Sequence, residues 1–182
     1  IATDPTDRTK LNTDTMRPNL SYMDLSGRVL DQVELDHGLH QNSIRHLAIR
    51  HDGLVGFAMQ WEGEPDSATP LLGLHRRGEP TVLAEAPLAD ELAMQGYAGS
   101  IAFSGDGQEI AITSPRGGRL HRFSAHGSFL GAVSRADICG LAALRDGYLA
   151  SDGLGGLMAI RPGLTTPLAR VDCSWDNHLV AL

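Results

Sequence analysis

Cysteine is scarce in this chain: Cys139 and Cys173 are its only two in 182 residues. That is too few for a disulfide framework, and their spacing is not that of a metal motif, so they are read as free thiols. Aromatic residues make up only 5%. Positive charge is in deficit as well, with 15 Lys and Arg against 22 Asp and Glu and a net charge of -7. Such a balance repels a phosphate backbone and argues against nucleic acid as a partner. No apolar run reaches the roughly eighteen residues of a membrane-spanning helix. The first residues, Ile1 to Pro5, carry neither the charged nor the apolar region of a targeting segment, so the compartment is not legible there. Gly-x-Ser-x-Gly, His-Glu-x-x-His and Cys-x-x-Cys are all missing, which leaves hydrolytic catalysis with little support.

Turn formers, by contrast, are plentiful. The 21 Gly and 9 Pro suit many tight turns between short strands, and long helices are not expected. An internal repeat then decides the fold class. Three segments align without gaps: His46-Leu-Ala-Ile-Arg-His-Asp-Gly53, Ser100-Ile-Ala-Phe-Ser-Gly-Asp-Gly107 and Gly140-Leu-Ala-Ala-Leu-Arg-Asp-Gly147. Each reads as a strand ending in an Asp-Gly hairpin turn, followed by a second apolar strand. About twenty residues away in each copy a second turn recurs, at Ser26-Gly27, Arg77-Gly78, His126-Gly127 and Pro162-Gly163. It joins two outer strands. The Asp-Gly turns stand 54 and then 40 residues apart, the longer interval holding insertions at Glu62 to Thr69 and Ala86 to Gln95.

Four short antiparallel strands every forty residues or so are the mark of propeller blades. The predicted fold is therefore all-β, a β-propeller of four-stranded antiparallel blades. Residues 1–18 read as a leader or extended loop and residues 19–182 as the propeller portion. Within it, 19–35 supply an outer strand pair, blades cover about 43–84, 97–133 and 138–171, and 177–182 a final inner strand. The count amounts to about half of a ring. A complete four-bladed ring and an antiparallel sandwich are weaker alternatives, the second because it leaves the repeat unexplained.

Aligning the inner strands on Leu47, Ile101, Leu141 and Leu179 puts His46, Ser100, Gly140 and His178 at one repeat position. Two histidines at equivalent places invite a metal reading. Across the channel of a seven-bladed ring, however, they are expected on the order of 10 Å or more apart, against about 2 Å for a zinc–ligand bond, so separate roles or a bridging substrate fit better. Packing of each ring within its own blade is the competing account. The loop His40-Gln41 to Arg45-His46 and the stretch Asp176-Asn177-His178 both lead into inner strands, where a propeller binds ligands at its channel mouth. Loop side chains that cap free backbone groups are the more ordinary account of both. Arg116, in the glycine-rich loop Ser114 to Gly118, is placed to grip a carboxylate or phosphate. That loop and its counterpart Ser151 to Gly156 open no helix, so neither is a dinucleotide cradle.

Met16-Arg-Pro-Asn-Leu-Ser-Tyr-Met-Asp24, Leu39-His-Gln-Asn-Ser-Ile-Arg-His-Leu47, Gly73-Leu-His-Arg-Arg-Gly78, Tyr97-Ala-Gly-Ser-Ile101, Ser114-Pro-Arg-Gly-Gly118 and Trp175-Asp-Asn-His-Leu179 carry a resemblance over nearly the whole chain. They resemble the C-terminal half of a bacterial domain-of-unknown-function family, the one numbered fifteen-thirteen. The resemblance implies a seven-bladed periplasmic propeller about twice this length, distantly similar to amine dehydrogenase heavy chains. Members usually carry a twin-arginine-type export signal, and their genes often lie beside those of imelysin-type iron-uptake proteins and a dihaem cytochrome-like oxidoreductase. No catalytic residue or cofactor comes with the resemblance.

Two functions follow as expectations. The first is a periplasmic binding scaffold linked to iron uptake, using His40, Gln41, Arg45, His46, Arg116, Asp176, Asn177 and His178, with the N-terminal half of the propeller or a companion chain as a partner. The second is a metal-binding or electron-transfer subunit of a periplasmic oxidoreductase, in which the histidines are ligands or proton carriers.

Overall fold

The computed structural model describes residues 1–7 and 9–180. A two-stranded sheet comes first, β1 (Asn19–Met23) with β2 (Val29–Glu34), and three four-stranded sheets follow. They are β3 (Asn42–Ile49), β4 (Val55–Trp61), β5 (Leu72–His75) and β6 (Val82–Ala84); β7 (Ser100–Phe103), β8 (Glu109–Ser114), β9 (Arg119–Ser124) and β10 (Phe129–Ser134); and β11 (Ile138–Leu144), β12 (Gly147–Asp152), β13 (Gly156–Arg161) and β14 (Leu164–Arg170). Within each sheet the strands pair antiparallel with their sequence neighbours, and among the described residues no ladder joins one sheet to another. Each sheet is thus a meander that buries its faces against the next one. The chain is a portion of a β-propeller.

Three apolar layers hold the sheets face to face. Leu20, Val55, Phe57 and Met59 fill the first, between β1–β2 and β3–β6. The second is built from Leu72, Leu74, Ile101, Phe103, Ile110, Ile112 and Phe123, the third from Ala111, Leu120, Leu141, Tyr148, Met158 and Ile160. Strand alternation sorts these residues: on β8, Ile110 and Ile112 enter one layer and Ala111 the next. Each large side chain so buried contributes about 1.5–3 kcal/mol. Glycine makes the layers thin enough to close. A Cβ on Gly73 would stand 2.0 Å from Phe57 Cζ, so only glycine lets that ring lie across β5.

The outer turns follow the sequence pattern, with Gly27, Gly78, Gly127 and Gly163 at φ +84°, +83°, +89° and +69°. The third Asp-Gly does not. Gly147 already pairs with Leu144 inside the ladder, so the turn is Arg145-Asp146, and Gly147 is there because a Cβ would stand 2.1 Å from the Ile160 carbonyl oxygen. The second insertion contains a helix, α1 (Leu88–Ala93), six residues long. Among the described residues of 1–18 there is a single bridge, Thr3 to Lys10, and a 3-10 turn at Thr13–Thr15.

Polar ties cross between neighbouring sheets. The Leu141 amide donates to Ser100 Oγ at 3.1 Å, Thr113 Oγ1 to the Cys139 carbonyl at 2.5 Å, and Arg50 Nη1 to the Gly107 carbonyl at 2.7 Å. Among the described residues several buried polar atoms have no hydrogen-bond partner, the Tyr148 hydroxyl and both His121 ring nitrogens among them. His121 on β9 is fully buried against Phe129, ring centroids 5.3 Å apart, and both ring nitrogens lack a partner. Burial pushes its pKa down to about 4. A base depressed in this way contributes stability that is present above its unfolded value of about 6.5 and lost as pH falls towards 4. His121→Leu is therefore expected to match the parent in stability at pH 8 and exceed it by about 2 kcal/mol at pH 5 in urea denaturation. A loss at both pH values would contradict the burial.

Candidate functional site

The site lies where the inner strands β3, β7 and β11 begin. A bulge between Ile44 and His46 leaves Arg45 without a ladder partner on β4 and turns it outwards. Its Nη2 reaches Glu62 Oε1 at 3.1 Å, and Lys10 Nζ takes Glu62 Oε2. The Glu62 side chain is 6% exposed, so the two cations neutralise a carboxylate that is out of water. Gln41 joins the same corner: its carbonyl accepts the Glu62 amide at 2.9 Å.

His46, one residue beyond the bulge, is half-buried. Burial lowers its pKa first, then the neighbouring charges of His178 and Arg45, while Asp176 works in the other direction. At neutral pH the ring is uncharged and offers a lone pair. The His178 ring stands against it edge-on at a centroid separation of 5.2 Å. This corrects the expectation that the channel keeps the two apart. The reason is the path of residues 174–180, which form no strand ladder but make one parallel bridge, His178 to Leu141. The expected inner strand at 177–182 is therefore a single bridge residue, with residues 181 and 182 outside the described residues.

Two glycines admit that segment. A Cβ on Gly99 would stand 2.9 Å from Asn177 Oδ1, and one on Gly140 3.1 Å from both the Asp176 carbonyl oxygen and Leu179 Cβ. Asn177 Nδ2 then donates to the Tyr97 hydroxyl at 3.3 Å, and the Arg116 guanidinium lies 4.6 Å over the same Tyr97 ring. Asp176 Oδ1 accepts the Asn177 amide at 2.6 Å, which fixes the turn. Cys139 lies beneath, buried and free, its Sγ 3.3 Å from Ser151 Oγ; Cys173 is free and exposed.

Of the residues singled out in the sequence, His46, Asp176, Asn177, His178 and Arg116 thus form one connected group, linked through Tyr97. Arg45 and Gln41 adjoin it through Glu62. His40 turns to its own 3-10 turn instead, Nδ1 2.9 Å from the His37 carbonyl oxygen and its ring 5.4 Å from the His37 ring. Tyr97 and Glu62 are the members that sequence reasoning missed. As site members their signal was position, immediately before an inner strand and immediately after β4, although Tyr97 also heads one of the strings that carry the family resemblance. Among the described residues no three His, Cys, Asp or Glu side chains gather as a metal cage. Chemically, the group offers a neutral imidazole, an amide, a phenol and a guanidinium along one edge, which suits hydrogen-bonded capture of a polar or anionic partner.

No curated protein matches the sequence significantly. Solved structures do match in fold. Virginiamycin B lyase from Staphylococcus aureus is 10% identical, with a TM-score of 0.63 over 86% of this chain and 50% of that one. A gluconolactonase from Xanthomonas campestris is 17% identical, with a TM-score of 0.53 over 84% of this chain and 55% of that one. At such identities the likeness speaks for the fold alone, and this chain spans about half the length of either structure. In sequence, a family model matches residues 1–182, and the chain belongs to that family, described as Protein of unknown function (DUF1513).

Proposed function

We propose that this chain is part of a periplasmic propeller that acts as a binding scaffold in iron uptake, with further blades completing the ring about the same axis. The observation that carries the reading is the connected edge of His46, His178, Asn177, Tyr97 and Arg116, built from two neighbouring sheets and the segment that crosses them. Its polar groups converge without a nucleophile and base in hydrogen-bonded line, which favours holding over turnover. The periplasmic setting and the link to iron uptake rest on the family. A processed export signal in fractionated cells is expected, and a cytoplasmic full-length product would remove the setting. The binding claim is tested by capturing the imelysin-type and cytochrome-like neighbours on the full-length protein. Complex formation at micromolar concentration, weakened roughly tenfold or more by the pair His46→Ala and Asn177→Ala, is the expected result. Absence of any complex would overturn it.

A second reading is favoured by the 5.2 Å approach of the His46 and His178 rings. Two imidazoles this close are placed to share one metal ion, with Asp176 near by, in an electron-transfer subunit. Elemental analysis of untreated full-length protein separates the two. Stoichiometric copper, iron or zinc that is lost in His178→Ala favours the second, and its absence the first.

A further inference from the structure

The two insertions that lengthen the first repeat meet each other. Residues 62–69 leave the end of β4 and residues 86–95 precede β7, yet both close on Trp61. The Trp61 amide donates to the Gly96 carbonyl at 2.8 Å and its Nε1 to the Glu64 carbonyl at 2.9 Å. A Cβ on Gly63 would stand 2.4 Å from the Trp61 ring. Gln95, next to this junction, is held at φ +52°, a conformation that costs a non-glycine residue energy and marks a constrained position.

A third wall comes from the β8–β9 loop. A Cβ on Gly117 would stand 2.0 Å from the Ala93 carbonyl oxygen, so glycine there seats the loop directly against the end of α1. Ser114 Oγ fastens it, donating to the Met94 carbonyl at 2.8 Å and accepting the Gly117 amide at 2.9 Å. Arg116 is thereby presented from a clamped loop, stacked on Tyr97 and exposed. Among the described residues no carboxylate pairs with it. The three walls border an open cleft of 760 Å³ whose lining includes Trp61, Pro65, Asp66, Leu92, Gln95 and Arg116. That volume is in the range of small-molecule sites, about 300–1,000 Å³.

We propose that this cleft binds a small monocarboxylic acid with a flat apolar body. The carboxylate pairs with the Arg116 guanidinium, and the body lies against Trp61, Pro65 and Leu92. Asp66 on the same lining disfavours a second negative charge, and Glu62 is already neutralised by Lys10 and Arg45. The inference rests on the binding reading only for Arg116. It gives the insertions a purpose that the repeat alone does not.

The test uses the full-length protein titrated with indole-3-acetate, indole-3-acetamide and phthalate, followed through the amide resonances of Gln95 and Gly96. Indole-3-acetate is expected to shift both resonances, the neutral amide and the dianion to bind roughly tenfold more weakly, and Arg116→Gln to erase the preference for the acid with thermal stability unchanged. Equal binding of acid and amide, or an unaltered preference in Arg116→Gln, would overturn the proposal, as would no shift at about 1 mM acid. Loss of this binding with capture of the protein partners retained removes the cleft alone; the reverse pattern removes the scaffold reading alone.

Discussion

Arg135→Met is expected to lower the stability of the protein by about 3 kcal/mol at pH 7 in urea denaturation, the low end of what breaking a buried ion pair costs. Asp152 is fully buried at the end of β12 and accepts from Arg135 Nε and Nη2 at 2.6 and 2.5 Å, from the Gly156 amide at 2.8 Å and from the Leu154 amide at 3.0 Å. Burial alone would raise its pKa, but the Gly156 amide and the Arg135 guanidinium outweigh burial and hold it below the usual carboxylate range. Without the guanidinium a buried carboxylate keeps only two amide donors. The Arg135 side chain is 43% exposed, so its own release into water costs little and the loss falls on Asp152. Asp152→Asn in the same background removes the orphaned charge and keeps an acceptor for both amides. The double variant is therefore expected to be more stable than Arg135→Met alone. Because a carboxylate with a depressed pKa contributes stability above its unfolded value of 3.8 and loses it as pH falls, the parent and Arg135→Met should converge below pH 3.8. A difference below about 1 kcal/mol at pH 7 would mean the pair is not formed.

Glu91→Gln is expected to act in the opposite sense and stabilise the protein. Glu91 on α1 is buried, with Oε1 accepting the Ala86 amide at 2.7 Å. Burial pushes its pKa up to about 7, helped by the charges of Glu85 and Asp90, while the Ala86 amide pulls it down. A carboxyl raised above its unfolded value contributes its stability below pH 4.5 and loses it as pH rises through 7. The glutamine keeps the acceptor for Ala86 and has no charge to bury. At pH 8 it should gain about 2–3 kcal/mol over the parent, and at pH 4 nothing. His121 and Glu91 thus oppose each other between pH 4.5 and 6.5, where acidification weakens one burial and relieves the other. A parent protein whose stability is nearly flat across that window, and slopes upward once Glu91 is glutamine, is the combined signature.

The blades were readable because their determinants are local. Asp52-Gly53, Asp106-Gly107 and the four outer glycine turns punctuate strands whose apolar residues alternate, and alternation needs no tertiary knowledge. Gly147 shows where this ends: as a letter it matches the other two, yet its role depends on β13, a neighbour that the pattern does not place. The helix α1 has six residues, too few for a 3.6-residue period to emerge, so no pattern marks its Glu91 as buried. Within the site, the polar runs before the inner strands marked His46 and Asn177. Tyr97 and Glu62 were hidden because an isolated aromatic and an isolated acid carry no spacing signal. The approach of His178 to His46 depends on a crossing over Gly99 and Gly140, which in sequence are two ordinary glycines. Contacts set by the route of a segment that has no ladder of its own are the ones that repeat alignment misplaces.

The most direct test of the architecture is a set of nuclear Overhauser contacts among the inner strands. Stacked blades around one axis place the Leu141 amide beside the Ser100 side chain and the His46 ring beside the His178 ring, with no backbone ladder joining β3, β7 and β11. Observation of both side-chain contacts is the expected result. Backbone contacts in the pattern of a ladder joining β3 to β7, or β7 to β11, would show one continuous sheet and contradict the account.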